Sequence, residues 1–309
     1  MGVVNRCEPR NSPFEFWDIG FEQIVLFPFL AKFKVGFRQS QFPADVLEFF
    51  TKITCDVMKR RMEDGESRVD FLQIMLDNKL PEDHNGTSNF SQNGGCLQSE
   101  KQGLTHEEIL AQSLLFFIAG YETTASTITF LCYCLATNMA AQRELQREID
   151  RMVDISYNTL SDLPYLDMCI QETLRLYPPA TRILRACNQD TLLGHVNVRR
   201  GTLIAIPVYT LHHNPDYWTD PGKCLFQNGR FLPEERSSRT PYTWLPFGTG
   251  PRNCIGMRLA MMEIKVAMVT LVKHLEFHVT DDTQTPLTFR KNTILTTTKP
   301  IFVGLKLRG

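Results

Sequence analysis

A mainly α chain with small β-sheets is predicted for these 309 residues. Two patterns predict it. Long stretches repeat apolar residues at three- and four-residue spacing, the mark of amphipathic or buried helices. Period-two alternation is confined to residues 190–208 and to the tail, which leaves room only for small sheets. Composition agrees: 43% hydrophobic and 22% charged residues describe an ordinary globular chain able to bury a sizeable core.

The elements follow in order. Residues 1–40 are Phe-rich and broken by prolines. The apolar patch I-V-L-F-P-F-L, 24–30, is too short to span a bilayer and reads as core or as a surface resting on one. Residues 43–63 carry apolar side chains at helical spacing, and a second helix fits 69–78. Residues 81–103 have no hydrophobic period and read as a mobile loop. Its two sequons, at Asn85 and Asn89, are accidental matches in a chain with no secretion signal.

Order returns at L-T-H-E-E, where Thr105 and Glu108 form a capping box. The helix that follows, within 104–137, runs about thirty residues, is apolar on most faces and is expected to cross the interior. Glu122 and several threonines at its middle argue against a membrane span. Helices are expected at 139–152 and 166–176, the latter stopped by Pro178-Pro179. Strands joined at Gly194 and Arg200-Gly201 fill 190–208, a long amphipathic helix covers 257–272, and two or three strands close the chain.

Charge and cysteines remove several function classes. A net charge of −1 gives no global electrostatic case for nucleic acid or anionic membranes. Nine cysteines, without framework spacing or any CxxC pair, read mostly as small core residues of a reduced protein. No HExxH or similar set points to zinc.

Three short motifs carry chemistry. F-G-T-G-P-R-N-C-I-G, 247–256, puts Cys254 on a glycine-rich loop at the mouth of a helix. The positive end of the helix dipole and unpaired N–H groups favour a thiolate there. Gly250 and Gly256 clear space for a flat group, and Arg252 can meet its anionic substituents. The loop fits a nucleophile, a metal ligand or a plain helix-start cysteine. A-G-Y-E-T-T, 119–124, sets Glu122 and Thr123 inside the long apolar helix, beside Gly120. Such a notch holds a small ligand and relays protons, or is a kink whose Glu122 reaches solvent. E-T-L-R, 172–175, pairs Glu172 with Arg175 at i,i+3; alone, this is a surface pair of small value.

Together and in this order, the motifs resemble the cytochrome P-450 superfamily: its cysteine loop F-x-x-G-x-R-x-C-x-G, filled at every position, its oxygen-binding helix and its ExxR pair. The resemblance implies haem b between the long helix and the loop, with Cys254 as axial thiolate and Phe247 shielding the sulfur. It implies Arg252 and Arg185 on the propionates, Ala119 beside the haem, and Glu122 and Thr123 supplying protons during oxygen activation. Glu172, Arg175 and Arg230 would be structural. The family writes the element around Arg230 as P-E-R-F, whereas this chain has Q-N-G-R-F.

R-V-D-F-L-Q-I-M-L-D, E-T-L-R-L-Y-P-P-A and the loop resemble the vertebrate group of family 3 drug and steroid hydroxylases and thromboxane-A synthase. The polar insert and L-H-H-N-P lean toward the synthase, an isomerase of a prostaglandin endoperoxide. Thr123 leans toward a monooxygenase acting on a steroid, fatty acid or xenobiotic, because the synthase carries a bulky apolar residue there. The resemblance further implies an endoplasmic reticulum membrane protein on the cytosolic side. Its partners would be NADPH-cytochrome reductase, a cytochrome b-type donor and a lipophilic substrate, with no nucleic acid. A face with Arg143, Arg147, Arg258 and Lys265 fits an acidic reductase or a solvated helix surface. The match covers nearly all of residues 1–309 as a single domain, yet only the C-terminal part of the family's pattern. An N-terminally truncated form, binding haem weakly and turning over little, is expected.

Overall fold

The computed structural model describes residues 44–63, 65, 67–80, 103–224, 226, 230–289, 296 and 298–308. The patch at 24–30, the sequons at Asn85 and Asn89 and all but residue 103 of the 81–103 segment lie outside them. Two compact units divide at Ala119–Gly120.

In the first unit, α1 (Ala44–Glu63) and α2 (Phe71–Asp77) form where apolar spacing predicts them. Asp70 caps α2 by accepting the Gln73 N–H at 3.0 Å, and its two oxygens accept from Arg61 at 2.6 Å each. Those bonds to Arg61 hold the Asp70 carboxyl down at about 2. Leu80 N–H donates to the Leu104 carbonyl and Leu104 N–H to that of Asn78, both at 2.8 Å, so residues 78–80 are tied to residue 104. Next comes α3 (His106–Thr137), opened by the expected box: Thr105 N–H donates to Glu108 Oε2 at 2.8 Å and Glu108 N–H to Thr105 Oγ1 at 3.2 Å. Met58, Met75 and Ile109 make the small core of this unit, flanked by the stacked Phe71–Phe116 pair.

The second unit is built on four helices: the C-terminal half of α3, α4 (Met139–Asp150), α6 (Pro164–Leu176) and α9 (Met257–His274). Their core joins Leu131, Leu135, Leu145, Ile149, Ile170, Ile264, Met268 and Val272. By length and composition α3 could span a bilayer. Its burial, though, is concentrated in residues 127–136 within this protein core, and Leu115, Phe117 and Tyr121 upstream are exposed. Helical assignment runs unbroken through Gly120, where the sequence suggests a kink.

Short elements connect the helices. They are α5 (Tyr157–Ser161), β1 (Ile183–Ala186), β2 (Thr191–Leu193), β3 (Val196–Val198), β4 (Leu203–Ile206), α7 (Val208–His212), α8 (Pro233–Ser238), β5 (Leu275–His278) and β6 (Gly304–Leu307). The strands pair antiparallel as β1–β4, β2–β3 and β5–β6. Gly194, at φ +60°, turns the β2–β3 hairpin where the sequence places a joint.

One polar residue links helices to sheet. Gln142 on α4 is fully buried; its Nε2 donates to the Phe277 carbonyl at 2.8 Å, and its Oε1 accepts the Phe277 N–H at 2.7 Å. The side-chain amide thus pairs both main-chain groups of a buried β5 residue. Replacing it by an isosteric apolar chain, Gln142→Leu, strands both groups, and the loss expected in denaturant unfolding is about 2–4 kcal/mol. An unchanged midpoint would show that Phe277 finds other partners.

Candidate functional site

The glycine-rich loop joins residue 245 to α9. Gly248 and Gly250 lie at φ +69° and +76°, the left-handed region where a side chain is strained, so glycine is required at both. A 3-10 turn, Gly250–Arg252, follows. Main-chain bonds close the loop: Gly248 N–H to the Leu245 carbonyl at 3.1 Å, Asn253 N–H to Gly250 at 3.1 Å, and Cys254 N–H to Phe247 at 2.8 Å. The chain folds back at 247–254 and enters α9 through its N-cap, Gly256.

Cys254 is exposed, alone in this among the described cysteines; Cys134 and Cys169 lie in the core, where burial pushes the Cys169 thiol well up. A Cβ at Gly256 would stand 4.0 Å from Cys254 Sγ, so the missing side chain keeps that flank of the sulfur clear. Ile255 and Leu259 beside it are also exposed.

Arg185, on β1, donates from Nη1 to the Leu184 carbonyl at 2.8 Å and from Nη2 to the Arg252 carbonyl at 3.4 Å. The exposed Arg185 side chain therefore reaches the backbone two residues before the cysteine, at Arg252, whose own side chain is also exposed. Phe247 is half-buried and packs on the helical core, while its carbonyl holds the Cys254 N–H. On α3, Glu122 and Thr123 are half-buried and Ala119 is exposed. Ala119, Glu122 and Thr123 share one helix face by their i, i+3 and i+4 spacing. Thr127 Oγ1 donates to the Thr123 carbonyl at 2.8 Å.

A buried ionic node is linked to this loop through His212. Glu172 and Arg175 are 1% and 0% exposed, the opposite of the surface pair their spacing alone suggests. The guanidinium is bidentate on Glu172, Nε to Oε2 at 2.8 Å and Nη2 to Oε1 at 2.9 Å. Nη1 donates to the carbonyls of His212 at 2.9 Å and Pro221 at 2.8 Å, and Nη2 to that of Lys223 at 3.2 Å. Arg230 brings Nη1 to Glu172 Oε1 at 3.2 Å, and its Nη2 bonds the carbonyls of Thr219 and Asp220. The carboxylate is therefore shared by both arginines despite the unusual Q-N-G-R-F. The Trp218 ring receives both the Arg175 and the Arg239 guanidinium, at 5.3 and 4.9 Å from its centroid.

Several of these residues escape sequence reasoning. His212, at the end of α7, is fully buried, and its Nε2 accepts the Leu245 N–H at 2.8 Å. Burial pushes its pKa down to about 3, so the ring is neutral. Trp218 and Arg239 likewise have no spacing signal. Lys265 corrects an expectation. It is 5% exposed, donating to the Leu160 carbonyl at 3.0 Å and to Asp167 at 2.9 Å, and so belongs to no partner-facing patch. Arg147 pairs with Glu144.

A haem held here would need the cysteine alone from the protein and no multi-residue ligand set. The residues present fit one: an exposed thiol on a backbone-shaped loop, a cleared flank at Gly256, apolar neighbours, and two arginines for carboxylates.

A family model for cytochrome P450 matches residues 14–305. Among similar curated proteins, cytochrome P450 3A11 of Mus musculus is 39% identical over 93% of this chain and 55% of its own length. Cytochrome P450 3A6 of Oryctolagus cuniculus is 39% identical over 97% and 58%, and cytochrome P450 3A5 of Homo sapiens 39% over 96% and 56%. The chain thus spans a little over half the length of these relatives.

Glu172→Gln removes the charge that both arginines share. Because it leaves buried Arg175 without a counter-ion, a loss of about 3–5 kcal/mol is expected in thermal or denaturant unfolding. A loss below about 1 kcal/mol would mean that the carbonyls alone hold the guanidinium.

Proposed function

The chain belongs to the cytochrome P450 family, and we propose that within it the protein is a haem-thiolate monooxygenase for a lipophilic substrate such as a steroid, fatty acid or xenobiotic. Proteins of this family bind haem through a cysteine thiolate. The observation that carries the reading is the exposed Cys254 thiol on a loop whose glycines and backbone bonds fix its direction. Haem held there supplies reductive activation of dioxygen, one atom entering the substrate and the other leaving as water with two protons and two electrons.

The remaining roles belong to this chain's own side chains. Cys254 holds the iron, and the folded-back loop fixes its sulfur. Arg252 and Arg185 take the two propionates, their charges matched to carboxylates. Phe247 covers one side of the sulfur and limits water. Ala119 leaves a flat surface on α3, and Glu122 and Thr123 hold and pass protons from solvent toward the reacting oxygen. Glu172, Arg175 and Arg230 frame the loop from beneath. Residues 1–309 belong to a single domain of the family in this reading. Electrons come from NADPH-cytochrome reductase, with a cytochrome b-type donor as second source, at the cytosolic face of the endoplasmic reticulum membrane. The family 3A names of the relatives and Thr123 both favour oxygenation over rearrangement of an endoperoxide.

Protein supplied with hemin, reduced and exposed to carbon monoxide, should give the thiolate-type Soret band, and Cys254→Ala should abolish it; a band that survives the substitution removes Cys254 from the iron. With reductase and NADPH, Thr123→Ala should lower product formed per NADPH by at least roughly tenfold, with Thr123→Ser recovering most of it. Unchanged coupling would take Thr123 out of proton delivery.

A further inference from the structure

His212 is a buried side chain to which the proposed reaction gives no part. It ends α7, is fully buried, and lies 33 residues before the amide it contacts. Two bonds meet at this one residue. Its carbonyl accepts from Arg175 Nη1 at 2.9 Å, and its Nε2 accepts from the Leu245 N–H at 2.8 Å. Leu245 is where the cysteine loop begins: its carbonyl receives Gly248 N–H, and further main-chain bonds join Asn253 N–H to Gly250 and Cys254 N–H to Phe247. A continuous path of hydrogen bonds thus runs from Glu172 through Arg175 and His212 to the loop.

The ring chemistry is fixed by this geometry. An imidazole nitrogen that accepts from an amide is unprotonated, so the proton resides on Nδ1. Nδ1 is buried with no hydrogen-bond partner among the described residues. Buried polar atoms are normally paired, and a residue kept with one orphan nitrogen is explained by what its other nitrogen does. An aliphatic chain there would leave the Leu245 N–H unpaired, whereas a glutamine carbonyl could still accept it.

We propose that His212 is a positioning residue for the cysteine loop: its neutral imidazole, through Nε2 and the Leu245 N–H, anchors the start of the loop to the Arg175 node and so sets where Cys254 stands. The consequence for iron rests on the reading of Cys254 as haem ligand; the anchoring itself does not.

The test uses the full chain in two arms. Without haem, amide hydrogen exchange is followed at Leu245, Gly248 and Cys254, with Ile170 in the helical core as reference. His212→Leu should speed exchange at the loop amides by about tenfold, equivalent to ~1.4 kcal/mol, and leave Ile170 unchanged. His212→Gln, whose carbonyl can accept the same N–H, should keep wild-type protection. Nitrogen NMR of the wild-type ring should show the proton on Nδ1. A proton on Nε2, loop amides unmoved by His212→Leu, or equal speeding of loop and core amides in both variants overturns the proposal. With hemin and carbon monoxide, His212→Leu should lower the thiolate-bound fraction severalfold, and His212→Gln should match wild type. If Cys254→Ala keeps the thiolate band, the haem reading fails while the exchange arm still judges His212.

Discussion

Everything around the cysteine loop depends on giving a buried arginine enough partners. A guanidinium has five N–H donors, and inside a protein each one left unpaired is costly. Here all five are used: two on Glu172 and one each on the carbonyls of His212, Pro221 and Lys223. The Glu172 attraction alone would not offset taking both charges out of water. What makes the pair tolerable is that it also satisfies three carbonyls, one at the C-terminal end of α7 and two in irregular backbone. The charge fixes the loops, and the loops solvate the charge.

The loop above is shaped by backbone more than by side chains. Glycines at positive φ allow the fold-back, and three main-chain bonds hold it together with a fourth from the Leu245 N–H to the His212 ring. Nothing bulky approaches the Cys254 sulfur at Gly256. Rigidity therefore comes from these hydrogen bonds, while the Cys254 sulfur stays exposed. Arg185 adds a strand's support to the same turn through the Arg252 carbonyl.

Much of the fold is legible in the sequence because its signals are local. The Thr105–Glu108 box, the apolar period of α3 and α9 and the Gly194 turn each lie within a few residues of their effect. The short elements α5, α7, α8, β1 and β5 are not legible, since four to six residues carry too little periodicity. The motif residues point to the site, but their environment is another matter. Glu172 and Arg175 look like a surface pair until carbonyls 37 to 48 residues away are counted. Lys265 looks like a surface cation until Asp167, 98 residues upstream, is seen beside it. His212 sits in L-H-H-N-P, a segment that bears on the branch of the family but not on this contact, and only the fold reveals what its ring touches.

The reach of Arg175 along the chain also bears on the order in which this region is assembled. Helix α6 can form early from neighbouring residues, but its arginine collects carbonyls from segments made much later in the polypeptide. Closing such wide chain loops is entropically slow compared with helix formation. The cysteine-bearing turn inherits that delay, since its first anchor is His212. A nascent chain would thus carry α4 and α6 well before it carries the cysteine turn, and arrival of the segment through residue 254, rather than synthesis of α6, would set when the thiol acquires its final direction.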